Sequence, residues 1–132
     1  MNLELINIAA NTKNNRNINN YTHSAKLKNS VCGDEIQIKL IIKNDKIIDF
    51  GYQTTSCIYC QASASLLSKV SINNKKDKIE KLCNDAKLFF NDNKKMITKN
   101  WKLLSKLFNK ENISRKDCIL LPFKTLKKIV TN

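Results

Sequence analysis

The stretch EIQIKLIIKNDKIIDFGYQT, residues 35–54, decides the fold through its spacing. Over residues 35–43, Ile36, Ile38, Leu40 and Ile42 recur at every second position, which places them on one face of an extended chain. Asn44 and Asp45 tolerate the positive φ of a tight hairpin turn. Residues 46–54 then return with Ile48, Phe50 and Tyr52 on one face. Upstream, residues 21–27 alternate as Tyr21, His23, Ala25 and Leu27, a first strand. The pattern predicts a small antiparallel three-stranded sheet with one dry and one wet side.

Outward from the sheet the period changes. Residues 2–10 read as a short helix with Leu3, Ile6 and Ala10 on one side, and the Asn-rich segment 11–20 reads as a loop. From Ser56, a natural N-cap, a helical stripe begins at Cys57 or Cys60 and continues through Ala64, Leu67 and Val70. A second helix over 77–90 turns Ile79, Leu82, Cys83, Ala86 and Phe90 inward. A third, around 99–108, carries Trp101, Leu104 and Phe108. Ser114 marks the start of a last helix to Ile129, with Pro122 predicting a kink or a late start near Leu121. Strands first and helices after indicate an α+β fold with helices packed on one face of the sheet. Without an internal repeat or a linker, residues 1–132 read as a single domain.

The net charge of +13 comes from 22 Lys against 2 Arg, spread almost evenly along the chain. Lys, Asn and Ile are all abundant and share A/T-rich codons, so base composition accounts for the excess. Groove readers need Arg forks and clustered charge. Single-strand platforms interleave aromatics with charge, whereas Phe89, Phe90, Trp101, Phe108 and Phe123 fall at helix core spacing. No nucleic-acid partner is expected. No stretch approaches the roughly 20 apolar residues of a membrane helix, and residues 1–10 lack a signal-peptide pattern, so a cytoplasmic protein is expected.

Five cysteines, an odd number, argue against a disulfide framework and for metal or thiol chemistry. In NSVCGDEIQIKL, residues 29–40, Cys32 and Asp34 flank a glycine immediately before the central strand. In extended chain their side chains point the same way, and Gly33 permits backbone geometry that a branched residue refuses. Cys57 and Cys118 open helices, whose N-termini favour thiolates. Three thiolates and a carboxylate suit a tetrahedral zinc or iron site. The same spacing is compatible with three unrelated small core residues. Cys83 falls on an apolar stripe and reads as core. Cys60 forms C-x-x-C with Cys57 and reads as a spare ligand, a resolving thiol or packing. His23, in a strand, reads as an ordinary histidine.

Together CGDEIQIKL, SCIYCQASAS and SRKDCILLPFKTLKK resemble the iron–sulfur scaffold family of IscU, SufU and the N-terminal domain of NifU, from about Lys13 to the C-terminus. In that family one cysteine lies in a Cys-Gly-Asp motif, one starts a helix before an Ala-Ser run, and one lies near the C-terminus. These correspond to Cys32, Cys57 (ahead of Ala62-Ser63-Ala64-Ser65) and Cys118. The long stretch between Cys57 and Cys118, Asp117 in place of the IscU histidine, and Arg115 three residues before Cys118 are similar to the SufU branch. The Leu-Pro-Pro-Val-Lys chaperone motif of IscU is absent. The family's Asn-Pro-Arg-Asn is Asn14-Asn15-Arg16-Asn17 here, the proline before Cys-Gly-Asp is replaced by Ser30, and Cys60 lies outside the pattern.

The resemblance implies zinc, or a transient iron–sulfur cluster, held by Cys32, Asp34, Cys57 and Cys118. It implies a cysteine desulfurase as sulfur donor and downstream assembly or acceptor proteins as recipients. Whether the chain itself counts as an enzyme stays open. In the scaffold reading Asp34 keeps the cluster labile. In the SufU reading Cys32 takes persulfide sulfur once the desulfurase displaces the metal, and Arg115 pairs with the displaced Asp34. Alternatives are a zinc-dependent sulfurtransferase that only activates the desulfurase, a structural zinc interaction module, and a basic RNA-binding module.

Overall fold

The computed structural model describes residues 3–30, 33–92 and 99–131. Its elements are α1 (Leu3–Ala10), β1 (His23–Lys28), β2 (Glu35–Lys43), β3 (Lys46–Thr55), α2 (Ile58–Ser71), β4 (Asn74–Lys75), α3 (Lys76–Asp92), two 3-10 helices (Lys99–Lys106 and Lys110–Arg115) and α4 (Lys116–Val130). This is the α+β arrangement expected.

The strands run antiparallel in the order β1-β2-β3-β4. Asn44 and Asp45 have φ of 51° and 62°, the doubly positive turn whose twist matches that of the flanking strands. Ile36, Ile38, Leu40 and Phe50 are fully buried. α4 packs on β1 and β2, α2 on β3, α1 on α2 and α3 on α4. None of the described helices is long and apolar enough to cross a membrane.

Several expectations are corrected by packing. The sheet has four strands rather than three, because Asn74 and Lys75 pair with Ile47 and Lys46; two residues are too few to leave a period. The β2–β3 register shifts where Ile41 faces Asp49 and Ile42 faces Ile47. Ile48 is the extra residue of this bulge, so Ile47 is buried and Ile48 exposed, the reverse of the simple alternation. In α1 the buried residues are Leu5 and Ala9, while Leu3 and Ile6 are exposed. The dense apolar sequence offers two overlapping stripes, and contact with α2 selects one.

The segment around 99–108 is a 3-10 helix, with Leu104 and Leu107 both buried. Their spacing of three suits a three-residue turn. The inward placement expected of Trp101 lies outside the described side chains. α4 begins at Lys116 and continues through Pro122, so there is no late start; Ser114 lies in the preceding 3-10 helix and Arg115 takes the N-cap position. Burial of Leu120, Leu121, Phe123 and Leu126 around the proline offsets its missing N–H. Phe89, Phe90, Phe108 and Phe123 form a contiguous aromatic cluster with ring separations of 5.0 to 5.7 Å, as the core reading expects.

The Ala-Ser run makes α2 a helix that can be surrounded. Ser63, Ser65 and Ser68 are buried, and each donates to a backbone carbonyl: Ser63 to Ile119 of α4 (2.6 Å), Ser65 to Asn11 (3.0 Å) and Ser68 to Ser65 (2.7 Å). Asn14 Nδ2 in turn donates to Ser68 Oγ at 2.9 Å, and the Asn14 carbonyl accepts the Tyr52 N–H at 3.0 Å. The polar loop is thereby tied to α2 and to β3.

That loop crosses β3 at Gly51. A Cβ there would stand 2.7 Å from the Arg16 carbonyl oxygen and 2.8 Å from Ile18 Cγ1. Gly51→Ala is therefore expected to destabilise the fold by about 1–3 kcal/mol, because backbone must shift to admit the methyl group. Urea unfolding of the two forms checks this; an unchanged midpoint would show that the loop gives way freely.

Candidate metal and sulfur site

The segment joining β1 to β2 is pinned at its base. Asn29 N–H donates to the Asp34 carbonyl at 2.7 Å, and Gly33 N–H donates to the Asn29 carbonyl at 2.8 Å. Gly33 has a φ of +78° with open space where a Cβ would stand, so the glycine is required by backbone conformation rather than by crowding. Asp34, directly after it, is 6% exposed.

Cys57 occupies the N-cap position of α2, which the sequence assigned to Ser56; the Ser56 hydroxyl instead accepts from Thr54 at 2.8 Å. No side chain of α2's own start caps the helix. The Cys57 N–H is met from another element, by Asp34 Oδ1 at 3.1 Å. One carboxylate oxygen thus ties the β1–β2 segment to the start of α2. This use of Asp34 was not legible in the sequence, because it joins residues 23 positions apart.

The other oxygen is unusual. Asp34 Oδ2 is buried and has no hydrogen-bond partner. No ion pair to Asp34 occurs among the described residues. A buried carboxylate oxygen without a partner is costly and calls for a cation. Beside the Asp34 carboxylate lie the thiols of Cys57, half-buried, and Cys118, 5% exposed and in the first turn of α4. One ligand atom from each of Asp34, Cys57 and Cys118 lies within 4.8 Å of the others. Ligands bonded to zinc at about 2.0–2.3 Å stand about 3.3–3.8 Å apart in a tetrahedron, so closing on an ion needs shifts of about an ångström. The N-termini of α2 and α4 both meet here, and their N–H groups favour negative charge. The donors present fit a thiophilic divalent cation.

Of the expected ligands, the structure brings together Asp34, Cys57 and Cys118. Cys32 lies outside the described residues. Cys60 is fully buried one turn into α2 and is not part of the close group. Burial pushes its thiol up to about 12, and a hydrogen bond to Ser56 opposes this only in part. Cys83 is buried in α3 and likewise pushed up to about 12, mainly by desolvation, in keeping with a core role. His23 Nδ1 is 2.8 Å from Thr22 Oγ1, away from the site.

Arg115 is exposed and does not contact Asp34; its guanidinium carbon lies 5.3 Å from the centre of the Tyr59 ring. Tyr59, two residues beyond Cys57, carried no signal in the sequence, since nothing in its spacing relates it to Arg115.

Comparison with known proteins gives a consistent picture. The family model described as the NifU-like N-terminal domain matches residues 3–90. An uncharacterized protein of Borreliella burgdorferi is 33% identical over 115 residues, spanning 82% of this chain and 71% of the relative. The iron–sulfur cluster assembly scaffold protein IscU of Thermotoga maritima is 32% identical over 105 residues, spanning 76% of this chain and 70% of the relative. Among solved structures, an iron–sulfur cluster assembly scaffold protein for the SUF system from Fervidobacterium islandicum superposes with a TM-score of 0.91 at 23% identity, covering 98% of this chain and 96% of that one. A NifU-like N-terminal protein from Brucella abortus gives 0.89 at 16% identity, covering 98% and 91%. At these identities the two structures speak to the fold.

Proposed function

Because the chain belongs to the NifU-like N-terminal domain family, with its IscU and SufU scaffold relatives, we propose that it is an iron–sulfur cluster assembly protein that accepts sulfur from a cysteine desulfurase. The observation that carries this reading is the buried Asp34 carboxylate, one oxygen of it unpartnered, set beside the thiols of Cys57 and Cys118. In our reading Cys32 completes the set, and residues 1–132 act as one cytoplasmic domain.

Cys32, Asp34, Cys57 and Cys118 would hold zinc in the resting protein, or a nascent cluster as cargo. Zinc held by these residues would keep the thiolates of Cys32, Cys57 and Cys118 from oxidation. Asp34 is the hard oxygen donor in a soft thiolate set, and therefore the ligand that yields first. Once the desulfurase competed for the cation, Cys32 would be free to take sulfur from the donor persulfide. Asp34, if displaced, would pair with Arg115 in a charge-assisted bond that would keep the carboxylate away from the cation. Cys57 and Cys118, anchored at helix starts, stay in place. Downstream assembly or acceptor proteins receive the sulfur or the cluster.

Metal and sulfide analysis of protein purified without oxygen tests the reading. About one zinc per chain, or iron with acid-labile sulfide, is expected, together with stimulation of desulfurase turnover. Protein that holds neither, and does not stimulate, would overturn it.

A further inference from the structure

Arg115 and Tyr59 both lie near the starts of the two helices that bring the thiols together. Arg115 is the N-cap of α4, three residues before Cys118, and Tyr59 is the second residue of α2, two residues after Cys57. The guanidinium carbon lies 5.3 Å from the Tyr59 ring centre, within cation–π range. The ring is itself held: Tyr59 is partly buried against the core and lines a cleft with Leu5 of α1 and Lys106, Asn109, Glu111 and Asn112 of the 3-10 segment. Arg115 makes no ion pair among the described residues, although Asp34 Oδ2 is unpartnered at the start of the same helix pair. An ion pair with Asp34 would satisfy both groups, and the contact that the described residues give Arg115 is with the Tyr59 ring instead.

We propose that Tyr59 is a positioning residue: its ring parks the Arg115 guanidinium away from Asp34 and so sets how readily Asp34 leaves a bound cation. This rests on the metal-holding reading above and deepens it. Parked on the ring, Arg115 leaves Asp34 to the cation. Released from the ring, it competes for the carboxylate, and the cation loses its oxygen ligand sooner. The surface bridge between α2 and α4 is thus a brake on metal release, and its strength is that of one exposed cation–π contact.

The test uses the zinc-loaded full chain and times zinc release to a chromogenic chelator, without desulfurase. Tyr59→Leu is expected to speed release about two- to fivefold, the range of an exposed cation–π contact. Tyr59→Phe, which keeps the ring face, should release at the wild-type rate. In an Arg115→Ala background Tyr59→Leu should make no difference, which separates parking from mere packing of Tyr59. The proposal is overturned if Tyr59→Leu releases zinc at the wild-type rate. It is also overturned if Tyr59→Phe behaves like Tyr59→Leu, or if the effect persists without Arg115. A wild-type chain that takes up no zinc would overturn this proposal together with the reading beneath it. Normal wild-type loading with an indifferent Tyr59→Leu would sink the parking role alone.

Discussion

In Cys32→Ser, stimulation of the cysteine desulfurase is expected to fall to the level seen without this protein, while docking to the desulfurase survives. In the proposed role the Cys32 thiolate would attack the terminal sulfur of the donor's persulfide. A new sulfur–sulfur bond forms, the donor's bond breaks, and the donor cysteine leaves as a thiolate, so no external oxidant or reductant enters. Serine retains the size of the side chain but is no nucleophile towards sulfur at neutral pH. The choice of Cys32 over its neighbours follows from their anchoring. Cys57 starts a helix that is buried on nearly every side and bonded to Asp34, and Cys118 sits in the first turn of α4 among buried residues. Cys32 falls in the sequence between β1 and β2, and at the next residue, Gly33, an added Cβ would meet nothing within 4 Å. Mass spectrometry after incubation with desulfurase and cysteine should place the added sulfur on Cys32. Normal stimulation by Cys32→Ser, with persulfide on Cys60 or Cys118, would refute the assignment.

Cys57→Ser and Cys118→Ser are expected to weaken zinc binding by about two orders of magnitude or more each. A structural zinc site binds with about 10–16 kcal/mol shared over its ligands, so loss of one thiolate removes about 3 kcal/mol. Asp34→Ala should behave differently. It removes the hard, most weakly held donor and leaves three thiolates, so binding is expected to survive, with release of the bound species to a chelator faster than from wild type and the loss of affinity smaller than in either thiol variant. It also strips the Cys57 N–H of its acceptor, which costs about 1 kcal/mol in the metal-free fold, as loss of a helix cap does. Competition titration against a zinc indicator ranks the thiol variants, and stopped-flow transfer times the Asp34 variant. Loss from Asp34→Ala at the wild-type rate or slower would remove Asp34 from the ligand set. Full retention of affinity in Cys118→Ser would remove that thiol from the site.

The alternating Ile36, Ile38 and Leu40, the Asn44-Asp45 turn and the stripe Ile79, Leu82, Cys83, Ala86 and Phe90 were legible because each is a local regularity. Backbone period and side-chain direction are coupled within a few residues, whatever the rest of the chain does. The motif residues Asp34, Cys57 and Cys118 were legible as ligand types for the same kind of reason: a glycine turn and two helix starts are local contexts. What failed locally was decided elsewhere. Ile48 was turned outward by a bulge that exists only in the pairing of β2 with β3. The two-residue β4 exists only because α2 returns the chain to the edge of β3. In α1 the sequence allowed two faces, and α2 chose the one with Leu5 and Ala9.

The site divides in the same way. The sequence by itself determined which atoms could bind a cation, since that is a matter of side-chain chemistry. Only the tertiary structure decided that three of them meet within 4.8 Å, because β2 and the starts of α2 and α4 converge there. It also gave the two oxygens of Asp34 separate tasks, one on the Cys57 N–H and one without a partner. Arg115 was placed over Tyr59 by the same convergence of helix starts. Contacts of this kind depend on where whole elements lie relative to one another, and that is set by burial of the shared core, not by the spacing of the residues that make them.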